Sequence, residues 1–222
     1  MNVDPPIRTP VIAVYRDSFT DQTGARRSNS QFATFSTAIT QAPHAYLIRA
    51  LQHAGKNNDG FFSVVERVGL DHVTKERQLI RSTRESFDEN QKLPPLVFAG
   101  LIMEGGVIGY ESNTTSGGAG ARYLGIGTSK AYRRDTVQVS LRTVSVTTGK
   151  VLMEVLVSKT ILSASLDNDV FRFVADSTEL VEVEGGVVRN ESVNIALQAA
   201  IETAVLQTIE EGVSYGYWTV RR

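Results

Sequence analysis

The sequence predicts an α+β fold, with one globular α/β domain and two further segments that fit neither a helix nor an ordinary loop. Residues 136–146 and 151–162 alternate apolar and polar side chains, which predicts two strands joined by a turn at Thr-Thr-Gly-Lys, residues 147–150. Apolar residues recur at helical spacing in the middle and near the end of the chain. Residues 114–134 and 164–188 separate these elements, and both exceed the usual length of a loop.

The N-terminal half contains two short apolar runs with a helix between them. The runs at residues 10–15 and 61–65 are rich in β-branched and aromatic residues and predict buried strands. Pro43 suits the first position of the helix, and Gly55 suits its end. The helix has three aliphatic residues on one face, Leu47, Ile48 and Leu51.

The next segments predict a second amphipathic helix and a long strand. The helix covers residues 66–83, with Lys75, Glu76 and Arg77 on its solvent face. Its apolar stripe consists of Leu70, Val73, Leu79 and Ile80. The strand covers residues 96–112, and its glycine pair at residues 105–106 predicts a bulge.

The clearest helix lies near the C-terminus. Its apolar residues recur every three or four positions, namely Val193, Leu197, Ala200, Ile201, Ala204, Val205 and Ile209. Gly212 is predicted to end it. Trp218 and the two tyrosines beside it are predicted to pack into the core.

The overall composition excludes several classes of protein. A net charge of −1 without a basic cluster argues against nucleic-acid binding. The chain has no cysteine, so disulfides, thiolate metal sites and cysteine nucleophiles are excluded. It lacks an apolar run long enough for a transmembrane helix, and its first residues do not resemble a signal peptide. The chain is therefore predicted to be cytoplasmic or a mature form.

Tests for common chemistries predict no catalytic residue, no cofactor and no metal ion. The glycine-rich stretch has Ile126 where a phosphate-binding loop needs lysine, and Tyr123 where a dinucleotide fingerprint needs its third glycine. His44, His53 and His72 are not at ligand spacing. Carboxylates are numerous, but no pair lies in an apolar setting that would split their pKa values.

The two unassigned segments have the length of membrane β-hairpins. A membrane strand takes about 9–11 residues, so a hairpin takes about 20 and its turn. Phe171 and Phe173 alternate with Arg172, and two valines alternate with Glu182 and Glu184. This pattern predicts that the phenylalanines face lipid, and that Arg172 and the two glutamates face a lumen.

Four strands are too few to close a barrel with an aqueous lumen, and unpaired edges are not tolerated in lipid. A membrane form therefore requires a ring of identical subunits. Two alternatives remain open at this point. One is a soluble binding or assembly module with two flexible flaps that never inserts, and the other is an enzyme with flexible lids.

Several motifs, in one colinear order over nearly the whole chain, resemble the curli secretion channel, the CsgG family of outer-membrane lipoproteins. They are VIGYESNTTSGGAGARYLGIGTSKAY, SKTIL with VFRF, QFATFSTAI, ERQLIR and AIET. The resemblance implies that residues 114–134 and 164–188 are transmembrane hairpins of an oligomeric β-barrel. Residues 1–113, 135–163 and 189–222 would form the periplasmic α/β domain.

The resemblance further implies a non-enzymatic pore that exports unfolded curli subunits, which form amyloid fibres, across the outer membrane. A ring of about nine subunits would contribute about 36 strands, equal to the largest barrels known. The implied partners are the exported curli subunits, periplasmic and surface accessory proteins, and outer-membrane lipid. The family's chain begins with a lipidated cysteine, which these residues do not include.

In this family a loop between the first strand and the first helix narrows the channel with rings of tyrosine, asparagine and phenylalanine. The corresponding loop here covers residues 16–42. Alignment on Phe-Ser-Thr-Ala places the phenylalanine ring at Phe35, the asparagine ring at Thr34 and the tyrosine ring at Ser30. Phe32 is a candidate for an additional constriction. The resemblance therefore implies a hydrophobic gate at Phe35.

Overall fold

The computed structural model describes residues 3–26, 38–56, 59–87, 91–115, 132–166, 170–175 and 191–221. The strands in these ranges are β1 (Val11–Ala13), β2 (Phe19–Asp21), β3 (Gly55–Lys56), β4 (Asp59–Gly60), β5 (Ser63–Val65), β6 (Leu101–Thr115), β7 (Tyr132–Ser145), β8 (Val151–Leu166) and β9 (Val170–Ala175). The helices are α1 (Pro43–His53), α2 (Leu70–Ser86) and α3 (Glu191–Ser214). The predicted mixture of helices and strands is confirmed.

Seven strands form one mixed sheet in the order β5-β1-β6-β7-β8-β9, with β2 also paired to β6, while β3 and β4 pair separately. β1, β2, β5 and β6 pair in parallel, and β6 to β9 pair antiparallel. In the turn between β7 and β8, the Ser145 amide donates to the Lys150 carbonyl at 2.9 Å. Gly149 has a φ of +67°, a conformation that glycine adopts without steric cost. The predicted turn at residues 147–150 is therefore confirmed.

The core lies on one face of the sheet, under α1 and α3. α3 packs along β7 and β8 and contacts α1. Every residue of its predicted apolar stripe is buried. The strands bury alternate side chains against it, including Val137, Val139, Leu141, Val155 and Val157. Since burial of one such side chain contributes roughly 1.5–3 kcal/mol, this layer stabilises the domain far more than helix propensity does.

α1 matches its prediction closely. Pro43 is its first residue, where the missing N–H leaves no helical hydrogen bond unmade, and the helix ends at His53 just before Gly55. Leu47 and Leu51 are fully buried, and Ile48 is packed against the core.

The C-terminal end of α3 differs from its prediction, because Gly212 lies inside the helix and does not end it. A Cβ atom at this position would overlap the indole ring of Trp218. The indole Nε1–H donates to the Ile209 carbonyl at 2.8 Å, and the ring meets Phe61 and Phe62 edge-on. Gly212 therefore serves the close approach of Trp218, whose predicted packing is confirmed.

The prediction that the two tyrosines also pack into the core is wrong. Tyr215 and Tyr217 are 62% and 47% exposed, and their rings lie edge-on to each other. The core beneath this end of α3 is already filled by Trp218.

α2 is confirmed as a helix, but in the described part of the chain none of its residues is buried. Leu79, in the predicted stripe, is 58% exposed. Three arginines link the helix and its approach to the following segment, since Arg67, Arg77 and Arg84 donate to the carbonyls of Val97, Pro94 and Gln91. The segment before β6 thus runs beside α2, so the strand begins at Leu101 and not at residue 96.

The bulge in β6 also lies elsewhere than predicted. The register with β7 shifts between Val107 and Gly109, not at the glycine pair. None of the helices described is both long enough and apolar enough to cross a membrane.

Candidate functional site

The three long strands β6, β7 and β8 extend beyond the part of the sheet that carries the core. Buried side chains in β6 end at Val107, and three consecutive residues further along, residues 111–113, are all exposed. Because neighbouring side chains in a strand point to opposite faces, both faces are uncovered there. The β6–β7 pairing nevertheless continues to Thr115 and Tyr132. We call residues 111–115, 132–134 and 162–166 the exit strands.

The exit strands lead directly into the predicted hairpins. The first hairpin, residues 114–134, begins at the end of β6 and finishes at the start of β7, and residues 116–131 lie outside the described residues. The second hairpin, residues 164–188, begins at the end of β8. Its residues 167–169 and 176–188, with Glu182 and Glu184, also lie outside them. The proposed domain boundaries thus fall inside continuous strands, and the domain division stays a prediction.

β9 holds the described part of the second hairpin. Its backbone pairs Phe171 with Ser165, Arg172 with Ala164 and Phe173 with Ser163. The two phenylalanines occupy alternate positions of the strand, with Arg172 between them, as the predicted division into two faces requires. Whether these faces meet lipid and lumen stays a prediction.

The strands β6, β7, β8 and β9 form a four-stranded antiparallel ribbon, and among the described strands its β6 edge is open from Gly109 onward and its β9 edge is open throughout. On its outer side β6 pairs with β1 at Leu101–Ile102 and with β2 at residues 105–107, and no described strand pairs with it from Gly109 onward. At the other side of the ribbon, β9 pairs only with β8 among the described strands. Two strand edges of this kind attract further strands.

The predicted constriction loop, residues 16–42, is not a continuous loop, because it contains β2. The Gln22 amide donates to the Val107 carbonyl at 2.9 Å, and its side-chain Nε2 donates to the Gly105 carbonyl at 3.2 Å. Asp21 Oδ1 accepts hydrogen bonds from the amide and hydroxyl of Thr23 at 3.0 and 2.6 Å. These contacts fix the start of the loop against β6.

The loop leaves this point and returns to it, because the Ala38 amide donates to the Ala25 carbonyl at 2.9 Å. Loops whose two ends adjoin are often functional. The predicted constriction residues Ser30, Phe32, Thr34 and Phe35 lie between these ends and outside the described residues.

The glycine pair at residues 105–106 allows three strands to meet where the loop begins. A Cβ atom at Gly105 would overlap the Ser140 carbonyl of β7, and one at Gly106 would overlap the Thr20 carbonyl of β2. Their φ angles of +147° and +157° also disfavour other residues. The pair therefore serves close approach of backbones and not the predicted bulge.

A cleft of about 310 Å³ lies directly above β2, beside the open edge of β6. Gln22 and Thr23 line it from the loop, residues 108–111 from β6, and Thr136 and Gln138 from β7. The cleft lies where β2 ends. Beyond this point no described strand pairs with the outer edge of β6.

His44 is partly buried and Asp135 is fully buried. Burial, and secondly the Arg16 guanidinium, lower the pKa of His44 below its ordinary value of 6.5. Its Nδ1 atom is buried without a hydrogen-bond partner among the described residues. Asp135 is fully buried and accepts a hydrogen bond from the Tyr110 hydroxyl at 3.3 Å. Within the described ranges, no group of three or more potential ligands is placed to hold a metal ion.

Sequence reasoning missed β2, Gln22 and the role of the glycine pair. A three-residue strand gives no periodic pattern, and its partner β6 lies about eighty residues away. The sequence does contain a weak signal. Asp21 and Thr23 have the spacing of an Asx-turn, and they follow Phe19 and Thr20, two residues that favour strands.

Comparison with solved structures gives only distant likenesses. The PelC dodecamer from Paraburkholderia phytofirmans is 13% identical and covers 91% of each chain with a TM-score of 0.37. A putative neuraminyllactose-binding hemagglutinin homolog from Helicobacter pylori is 7% identical and covers 95% of this chain and 88% of its own, with a TM-score of 0.42. At these scores neither likeness supports an argument about fold or function.

Curated relatives are much more similar in sequence. The curli production assembly/transport component CsgG of Citrobacter koseri is 40% identical over 220 residues, which cover 97% of this chain and 77% of that protein. The protein of the same name from Escherichia coli K12 is 42% identical over 193 residues, which cover 85% of this chain and 68% of that protein. The model of the family described as curli production assembly/transport component CsgG matches residues 1–222. The chain therefore belongs to the CsgG family.

Proposed function

We propose that this chain is one subunit of a homo-oligomeric outer-membrane pore through which unfolded curli subunits leave the cell. Membership of the CsgG family supports a role in curli production and transport. In this proposal the α/β domain is periplasmic, and residues 114–134 and 164–188 span the membrane as hairpins. The pore has no catalytic residue and no cofactor. A confined unfolded chain gains conformational entropy on escape, which drives its diffusion outward.

The open ribbon β6-β7-β8-β9 is the observation that carries the proposal. Lipid offers no hydrogen bonds to a strand edge, so a membrane-spanning ribbon must be closed. β6 and β9 run in opposite directions, because three antiparallel pairings separate them. When β9 of one subunit meets β6 of the next, the contact is therefore antiparallel, as in bacterial membrane barrels. About nine subunits would give about 36 strands.

The loop that begins after β2 narrows this pore in our proposal. It leaves and returns beside β6, a strand of the wall, so its middle can project into the lumen. Phe35 then forms an apolar ring, with Thr34 and Ser30 in the neighbouring rings and Phe32 as a further aromatic. Such a collar impedes ions partly by dewetting. Periplasmic and surface accessory curli proteins would act at its two ends.

Extraction and imaging test the proposal directly. Detergent extraction of membranes from cells that express the chain should yield stable rings many times larger than the 24.3 kDa chain. These rings should conduct ions in planar bilayers. If only monomer appears in every detergent and no conductance is seen, the chain is instead a periplasmic binding or assembly module that does not insert. Turnover of a small metabolite would support an enzyme.

A further inference from the structure

Below the exit strands, β8 has a second open edge. Between Val151 and Thr160 it pairs with β7 on one side, and no described strand pairs with its other side. This stretch contains no proline, and a single lysine, Lys159, provides little protection against pairing. Leu156 in its middle is 66% exposed. At the start of the stretch, the Tyr217 hydroxyl donates to the Leu152 carbonyl at 3.4 Å.

β2 has the complementary open edge. It pairs with β6 on one side, and among the described strands nothing pairs with the other. The strand registers place it at the height of the open part of β8. Thr20 pairs with Gly106, Gly106 with Ser140, and Ser140 with Leu156. Thr20 and Leu156 are therefore at the same height on opposite sides of one subunit.

We propose that the outer edge of β8 pairs with β2 of a second copy of this chain. The inference rests on the ring of the proposed function. β2 lies beside β6 on the side where, higher up, β9 of the neighbouring subunit would pair. The closure that places β9 against the neighbour's β6 therefore brings the neighbour's β2 beside the lower part of β8. The pairing is parallel, because β2 runs parallel to β6 and two antiparallel pairings separate β6 from β8.

The side chains at this contact fit the proposed pairing. Phe19 is fully buried in the core, so its neighbour Thr20 lies on the sheet face away from the helices. Val155 and Val157 are buried against α3, so Leu156 lies on that same outer face. Thr20 of one copy and Leu156 of the other would then sit side by side and cover the exposed leucine. Barrel strands tilt by about 35–45°, so the register is free to shift by a few residues along β8.

The contact would also fix the start of the constriction loop. β2 would be held between its own β6 and the β8 edge of the neighbour, directly before the hydrogen bonds of Gln22 to Val107 and Gly105. The position of each constriction loop would thus depend on ring assembly.

Disulfide trapping tests the pairing, because the chain has no cysteine of its own. The double variant Thr20→Cys/Leu156→Cys is assembled into rings in detergent and oxidised. Within one subunit the two positions are three strands apart, about 14 Å, which is too far for a disulfide. We expect a ladder of covalent multimers, about tenfold above either single variant, that returns to monomer on reduction. Replacing Leu156→Cys by Glu154→Cys or Ser158→Cys, on the same face, locates the register.

The matched control is Thr20→Cys/Gln138→Cys, which moves the second cysteine one strand inward on the same face. It should give no ladder. Intact rings without cross-links at 154, 156 or 158 would overturn the pairing and leave the pore proposal standing. Covalent dimers from a single variant that are as abundant as the ladder would also overturn it, because they would show contacts between two identical positions and not between β2 and β8. Failure to form rings at all, for the unmodified chain as well, would contradict the proposed pore, and the pairing that rests on it would fall too.

Discussion

The upper part of β6, β7 and β8, which consists of the exit strands, and the lower part, which packs on α3, belong to the same continuous strands but have different surroundings. In the lower part, alternate side chains such as Val139, Leu141 and Val157 are buried under α3, and the other face is largely polar. In the upper part, residues 111–113 are exposed without alternation. The lower part therefore has a core within a single chain, whereas residues 111–113 of the upper part continue the backbone pairing without a buried side chain.

This difference indicates that the two parts are stabilised in different ways. A sheet with one apolar face is stabilised by the helix packed on it, so the lower part folds as an ordinary antiparallel sheet. The upper part has no such layer among the described residues, and it ends in the segments predicted to enter a membrane. We infer that substitutions in the two parts affect different properties, folding in the lower part and assembly or conduction in the upper part.

The largest effect is expected from Leu141→Ala in the lower part of β7. Leu141 is fully buried, so the change should lower the free energy of unfolding by about 2–5 kcal/mol. Asn113→Ala, on an exposed position of β6, should change it by less than about 0.5 kcal/mol. Fluorescence of Trp218, the single tryptophan, during urea unfolding measures both. Equal losses at the two positions would remove the distinction between the parts.

The next effect concerns the predicted lipid-facing residues of β9. Phe171→Arg or Phe173→Arg should reduce insertion by about 2–4 kcal/mol near the middle of the bilayer. Arg172→Glu should leave ring assembly intact and shift ion selectivity, because its position alternates with the phenylalanines. The fraction of chain recovered as rings in liposomes measures insertion, with Phe171→Leu as an apolar control. Equal tolerance of charge at all three positions would place this strand in water.

A smaller effect, on conduction alone, is expected in the constriction loop. The narrowest section sets most of a channel's resistance, and a barrel of about 36 strands is wide, so its wall matters little. Phe35→Ala should clearly raise single-channel conductance, and Ser30→Tyr should lower it by adding a second collar. Lys130→Ala, in the first hairpin, is the control and should change it only slightly. If the control alters conductance and Phe35→Ala does not, the gate lies elsewhere.

Elements that depend on residues close in sequence were predicted correctly, whereas elements that depend on partners far along the chain were not. The turn at residues 147–150, the start of α1 at Pro43 and the buried stripe of α3 depend on neighbouring residues, and all are confirmed. β2 depends on a partner far along the chain, and the glycine pair depends on two backbones that approach it. Neither leaves a periodic pattern in the sequence.

Amphipathic periodicity also does not identify what covers a helix. α2 and α3 both show an apolar stripe in sequence, but only α3 is buried in the described chain. The prediction that Gly212 ends α3 is wrong for a similar reason. The glycine is needed for contact with the indole of Trp218, and the sequence around Gly212 does not show this tertiary contact. For the candidate site, segment length and family resemblance predicted the hairpins and the gate. Most of their residues lie outside the described ranges, so these assignments stay predictions.

The smallest expected effect is a pH dependence at His44, which lies in the first turn of α1 in the lower part of the molecule. Burial and then Arg16 lower its pKa in the folded chain, so the unfolded chain binds the proton more readily. The stabilising contribution is therefore complete above about pH 6.5, the ordinary histidine value, and is lost as the pH falls below it. A charged imidazole would also face the positive end of the α1 dipole. His44→Gln should flatten the decline in unfolding free energy of the parent chain between about pH 7 and pH 5. Urea titrations followed by Trp218 fluorescence across this range measure the difference. If the slope is the same in the parent chain and in His44→Gln, the titration of His44 does not contribute to the stability of this region.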